Sequence, residues 1–353
     1  MTDGPVIPGP QPDDWTQPGA FPVAEGVYRI PLPLPSDGLR AVNVYAIRVG
    51  DGLVVVDAGW ALEQSRRQFE WALKQIDAKL SDISRFLVTH VHRDHYTQAV
   101  AVRREFGARV TLGFGERASL EGIRSHTPGR DRPQARLLRR AGAAEILARL
   151  AAHDHDVDPS QWELPDDWLR RRTPVPVGER ELLAVPTPGH TQGHYVFADL
   201  ESRLMFTGDH VLPHITPSIG FEYAAVESPL ASYLKSLAAV RAMPDMLMLP
   251  AHGPVGGSVH RRVDELLAHH EERLDACVAA VAQGARSAYE VAQVLRWTRR
   301  GRHLADLDLF NQTLAVLETA AHLAVLVARG ALTESLDGEV AAYAVVEPRT
   351  VAG

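Results

Sequence analysis

Residues 86–98 read FLVTHVHRDHYTQ, and they place His90, His92, Asp94 and His95 within one six-residue stretch directly after an apolar run. Imidazole and carboxylate side chains crowded in this way are costly to bury without partners, and a metal ion is one partner that would offset that cost. A solitary H-x-H pair is more often surface or core histidine than a ligand pair, and the H-x-H-x-D-H cluster alone leaves both readings open. Three later segments change the balance. PTPGHTQGH sets His190 after a Pro/Gly turn, FTGDH sets Asp209 at the end of an apolar run, and LPAHG does the same for His252. Each on its own is an ordinary polar residue in a turn. Together they supply metal-capable donors from loops that each follow a strand-like segment.

The elements that must position these residues can be read from periodicity. GVYRIPL, AVNVYAIRVG and GLVVVDAG are β-rich with turn punctuation. LEQSRRQFEWALKQI follows, an amphipathic helix with Phe69, Leu73 and Ile76 on one face, and then the strand ISRFLVT enters the histidine cluster. Residues 114–172 are Arg- and Ala-rich and read as a helical insertion before strands resume at ERELLAVPTPG, HYVFADL and RLMFTGD. Beyond GPVGGS, residues 259–353 are mainly helical and end on a strand-like VAAYAVVE, which suggests a small winged-helix-like domain. The expected organisation is an arm over 1–20, an α/β catalytic domain over 21–258 carrying the insertion, and the C-terminal domain.

Composition narrows the function classes. The chain has 353 residues, 45% of them hydrophobic, enough for one large domain and a smaller one. A formal charge of -7 and a pI near 6.1 disfavour a protein built to grip phosphate backbones. The lone cysteine, Cys277, rules out an intrachain disulfide and a cysteine-built zinc site, so any metal ligands must be His, Asp or Glu. No signal-like N-terminus and no apolar run of about 18 residues is evident, and a cytoplasmic location without membrane attachment is expected.

The ordered motifs THVHRDH, PGHTQGH, TGDH and PAHG, preceded by VVVDAG, resemble those of the metallo-β-lactamase-fold hydrolase superfamily over about residues 23–258. The FTGDHVLPHITPSIG segment and the C-terminal region resemble a subgroup with an added winged-helix-like domain, which includes the hydroxyacylglutathione hydrolase-like proteins. The resemblance implies an α/β fold, an αβ/βα sandwich of two mixed sheets with metals at one edge. It implies one metal held by His90, His92 and His190, a second held by Asp94, His95 and His252, and Asp209 bridging them, with Asp94 and Asp209 as the catalytic carboxylates. These donors suit two divalent ions, Zn²⁺ first, with Fe or Mn admitted. Such a pair makes a hydroxide nucleophile near neutral pH, so no serine or cysteine nucleophile is needed. Asp57 would orient a ligand histidine, His194 would be structural, and His210 and His214 would line the pocket. Tyr96, Thr97 and Gln98 depart from the small, Gly-rich continuation of many relatives, a difference expected to touch the pocket.

On this reading the protein hydrolyses a small-molecule thioester or ester. A ribonuclease or phosphodiesterase of the same fold is the alternative, and an iron-dependent oxidoreductase ranks below both. Nucleic acid is a minor prospect as partner, and a homodimer is allowed. The HDHD tract at 153–156 follows a helical run with no strand before it and reads as a solvated loop. RWTRRGR at 296–302 reads as a solvated charge run, and Cys277 as packing. The stripe Leu137, Leu138, Ile146, Leu147 and Leu150 in the insertion could close over the metal edge as a lid, or pack on the sandwich or a second copy.

Overall fold

The computed structural model describes residues 11–35, 38–125, 133–152, 158–223 and 228–346. The HDHD tract lies outside the described residues. Two sheets face each other. The first contains β1 (Phe21–Ala24), β2 (Val27–Pro33), β3 (Ala41–Val49), β4 (Gly52–Val56), β5 (Ile83–Leu87), β6 (Arg109–Gly113) and β7 (Asp167–Leu169), adjacent in that order. It is antiparallel from β1 to β4 and parallel from β4 to β7. The second contains β8 (Thr173–Val177), β9 (Arg180–Pro186), β10 (Tyr195–Asp199), β11 (Leu204–Gly208) and β12 (Leu247–Pro250), with only β12 parallel to its neighbour. A separate hairpin joins β13 (Leu332–Asp337) to β14 (Val340–Val345).

The apolar patterning builds the layers. Tyr45, Ile47, Val54, Val56 and Leu87 of the first sheet meet Leu182, Ala184, Phe197, Phe206 and Leu249 of the second, a dry seam between the sheets. The outer face of the first sheet is covered by α1 (Glu63–Lys74), α2 (Arg93–Phe106) and α3 (Arg117–Arg124). In α1, Phe69, Ala72 and Leu73 fall at i, i+3 and i+4 and are buried, and Glu63 and Lys74 complement the helix dipole at its two ends. The result is the expected αβ/βα arrangement.

The insertion is not wholly helical. It holds α3, α4 (Pro133–Arg140) and α5 (Ala144–Ala151), and then its last residues form β7, which pairs with β6 through Thr111 and Asp167. Its apolar stripe is no lid. Leu138 and Ile146 are buried, and Leu137, Leu147 and Leu150 pack against the same core, which they share with the outer face of the second sheet, α6 (Pro229–Arg241), α7 (Val259–Ala282), α8 (Ala288–Val294) and α9 (Leu309–Ala328). A stripe reveals that a face is covered and says nothing about what covers it. The C-terminal region of helices and hairpin keeps no core of its own, since Val196, Ala198 and Met205 of the second sheet belong to the same cluster as Leu317 and Leu323 of α9. By length and composition α9 could cross a membrane, yet in this fold most of it is buried as the central helix of that cluster.

Replacing Leu138 by alanine should therefore destabilise the fold by roughly 2–5 kcal/mol, the usual cost of a cavity at a fully buried leucine. Urea unfolding checks it. A loss of a few tenths would mean that the stripe is not seated on the C-terminal helices.

Candidate metal centre

Every sequence-predicted ligand sits just past the C-terminal end of a strand, at one edge of the two sheets. His90 follows β5, and His92 is the N-cap residue of α2, whose first turn carries Asp94 and His95. An acidic residue there is favoured by the positive end of the helix dipole. The loop from β9 to β10 supplies His190, the end of β11 supplies Asp209, and the end of β12 supplies His252.

The structure brings these seven side chains together as two donor groups. His90, His92, His190 and Asp209 form one, and Asp94, His95 and His252 the other, each with its donor atoms within 4.8 Å of one another. In the first, His92 Nδ1 lies 2.9 Å from His90 Nε2 and 3.1 Å from His190 Nε2. Asp209 stands between the groups. Its Oδ2 is 3.5 Å from His190 Nε2, while its Oδ1 is 3.6 Å from His95 Nε2 and 3.4 Å from His252 Nε2. Asp94 Oδ2 lies 3.5 Å from His95 Nε2 and 3.4 Å from His252 Nε2.

The outer nitrogens of the imidazoles are held. His190 Nδ1 donates to the Ser218 carbonyl at 2.8 Å, His252 Nδ1 donates to the Ala41 carbonyl at 2.8 Å, and His95 Nδ1 donates to Asp57 Oδ2 at 2.9 Å. Each anchor holds the ring through its outer nitrogen and aims Nε2 inward. Asp57 has a left-handed backbone (φ 60°), and its Oδ1 accepts from the Thr89 backbone N–H at 2.8 Å and hydroxyl at 2.9 Å. His194 fixes Asp209: its Nε2 accepts the Asp209 N–H at 3.1 Å, and its Nδ1 donates to Thr187 Oγ1 at 2.8 Å. Gly208 (φ 51°) lets the chain pass, because a Cβ there would lie 2.7 Å from His194 Nε2.

Charge and hydrogen bonding both fit a cation. His95 Nε2, His252 Nε2 and Asp209 Oδ1 are buried with no hydrogen-bond partner among the described residues, an arrangement that costs about 1–3 kcal/mol per group if nothing completes it. Burial pushes His90 well below its ordinary range, His92 to about 3 and His190 to about 4, so these imidazoles are neutral ligands. For His95, burial is outweighed by the Asp57, Asp94 and Asp209 carboxylates, which lift it to about 10. The second group thus draws positive charge from wherever it is available.

Other residues fall differently from expectation. Tyr96 is buried beneath the first sheet, stacked on Trp162, and its hydroxyl donates to the Glu163 carbonyl at 2.5 Å, so it serves packing and not the pocket. Thr97 is bonded to the Ala61 N–H and the Arg93 carbonyl, and Gln98 is buried. His210 is buried against Tyr233 and His214 is solvent-exposed. Sequence reasoning missed Glu116 and Glu222. The buried Glu116 accepts from the Thr191 hydroxyl, and Glu222 accepts from the Gln192 N–H at 3.0 Å, so two carboxyls brace the loop that carries His190. Burial raises Glu116 to about 7, and burial together with the Glu116 charge raises Glu222 to about 8.

The chain belongs to the Metallo-beta-lactamase superfamily, whose sequence profile matches residues 37–252. A metallo-beta-lactamase family protein from Thermus thermophilus has a similar structure, with a TM-score of 0.76 and 26% identity over 92% of this chain and 99% of that one. A beta-lactamase domain protein from Burkholderia ambifaria has a TM-score of 0.74 and 27% identity over 95% and 97% of the two chains. Among curated relatives, the probable metallo-hydrolase YqjP of Bacillus subtilis is 25% identical over 89% of this chain and 96% of its own. The lactamase-like protein aptB of Emericella nidulans is 27% identical over 79% and 69%. The chain spans 58% of the atrochrysone carboxyl ACP thioesterase of Aspergillus fumigatus, at 23% identity over 67% of its own length.

Exchanging Asp57 for asparagine keeps an acceptor for Thr89 but turns an amide N–H toward His95, which favours the tautomer with a proton on Nε2. Metal affinity at the Asp94, His95, His252 group should fall about 10–100-fold, as for other lost ligand-orienting partners. Competition against a chromophoric chelator measures this, and an affinity equal to the wild type would show that Asp57 does not orient His95.

Proposed function

We propose that the protein is a dinuclear-metal hydrolase of a small-molecule thioester or ester. The position of Asp209 carries the reading, because one carboxylate offers Oδ2 to the first donor group and Oδ1 to the second. His90, His92, His190 and Asp209 would hold one divalent ion, and Asp94, His95, His252 and Asp209 the other. Zn²⁺ suits these imidazole and carboxylate donors, and Fe and Mn are the competitors. Bound there, such ions supply Lewis-acid polarisation of the scissile carbonyl and acidify water. The chain's own contribution is orientation: Asp57 and the Ala41 and Ser218 carbonyls aim the imidazoles, and His194 aims Asp209.

A protein nucleophile is not called on. Cys277 is buried, and burial pushes its thiol up to about 12. The acyl-substrate reading draws on the thioesterase named among the relatives. We also assign the C-terminal lobe as winged-helix-like, from its helices followed by the β13–β14 hairpin.

A screen of thioesters, esters, lactones and phosphodiesters on zinc-loaded protein tests the proposal. Thioester or ester turnover should dominate, and Asp209→Ala should abolish it together with bound metal. Turnover of phosphodiesters alone would instead support the phosphodiesterase reading.

A further inference from the structure

The C-terminal lobe contains a second kind of donor cluster, far along the chain from the first. His270 lies on α7, and Glu318 and His322 lie one turn apart on α9, so the i, i+4 spacing puts the latter two on one face toward α7. One donor atom from each residue falls within 4.8 Å of the other two. His270 Nδ1 and His322 Nε2 are 3.1 Å apart, the same separation as His190 Nε2 and His92 Nδ1 in the first centre. Two imidazole nitrogens on one tetrahedral zinc, each about 2.0–2.1 Å from it, stand about 3.3 Å from each other.

A simple hydrogen-bonded histidine pair explains less. His322 Nδ1 donates to the Glu318 carbonyl at 2.8 Å, so its Nε2 is a bare acceptor. If His270 Nδ1–H fills that acceptor, His270 Nε2 becomes a bare lone pair that is buried without a partner among the described residues. The Glu318 carboxylate also lacks a hydrogen bond or ion pair there. The cation whose charge reaches it, Arg273, stacks on the Trp297 ring at 4.3 Å and donates to the Arg296 carbonyl at 2.9 Å. Burial keeps both imidazoles neutral, with His270 pushed down to about 2 and His322 to about 4. A cation would use the lone pair of His322, a nitrogen of His270 and the idle carboxylate at once.

We infer that His270, Glu318 and His322 form a separate mononuclear site for a divalent transition-metal ion of the Zn²⁺ class, clamping α7 to α9. The site stands one aromatic ring away from the first centre's supporting loops. Tyr233 lies between His270, at 5.5 Å, and His210, at 5.2 Å, and its hydroxyl donates to the His210 carbonyl at 2.8 Å. Gly189, next to His190, packs so tightly on Tyr233 that a Cβ would lie 2.4 Å from the Tyr233 Cα. The clamp would therefore stiffen the wall behind the loop of His190 without touching the reacting atoms. The inference is independent of the proposed substrate and of the metal count in the first centre.

The test counts zinc by elemental analysis in full-length protein stripped with chelator, reloaded with Zn²⁺ and desalted, for the wild type, Glu318→Gln and His322→Gln. Glu318→Gln preserves shape at a half-buried position, and circular dichroism verifies the fold of each variant. The wild type should hold one zinc more than either variant, while both variants keep hydrolysing whatever substrate the wild type hydrolyses. Equal zinc content in the wild type and Glu318→Gln would overturn the site, whatever the total proves to be.

Discussion

The constraint on which the rest depends is the convergence of six imidazole and carboxylate side chains on a seventh, the carboxylate of Asp209. Asp209 shares its oxygens between two sets of imidazoles, and both its Oδ1 and the facing Nε2 atoms of His95 and His252 are buried without hydrogen-bond partners among the described residues. Such a concentration of lone pairs and negative charge is unfavourable in a protein interior unless positive charge enters it. The parallel strands β4, β5, β11 and β12 end together at this edge, so polar loops from both sheets can meet while the apolar seam between them stays dry.

Around that core the remaining polarity of the structure serves aim. Three outer nitrogens are tied to Asp57 and to the carbonyls of Ala41 and Ser218, which come from distant parts of the chain. His194 and Gly208 set the backbone of Asp209, and Glu116 and Glu222 brace the loop that presents His190. Farther out, Ile219 belongs to the cluster formed by α4 to α9, and Gly220 approaches the Leu317 carbonyl of α9. Ser218 is thereby fixed to the C-terminal lobe, so that lobe helps to position a ligand of the first centre.

Much of this was legible in the sequence where the signal is local. The H-x-H-x-D-H run, the Gly-containing turns around His190 and His252, and the apolar runs ahead of Asp57 and Asp209 each report a strand ending in a polar loop. The alternation and helical stripes marked out the layers. What was not legible depends on long-range placement. A backbone carbonyl such as that of Ala41 has no side-chain signature, and Glu116 stands in a stretch that reads as an ordinary helix start. Tyr96 faces the core because α2 lies flat on the first sheet, an orientation that a local departure from relatives could not convey. The Leu138 and Ile146 stripe found its partner in α9, and β7 was hidden in three residues, Asp167–Leu169, too few to show a period.

The central claim is that two cations share Asp209. Anomalous diffraction at the zinc absorption edge, on crystals of the zinc-loaded protein, tests it most directly. The account predicts two peaks at the sheet edge, one among His90, His92 and His190 and one among Asp94, His95 and His252, with an Asp209 oxygen ligating each. A single peak there, or two peaks with Asp209 bound to neither or to only one, would contradict it.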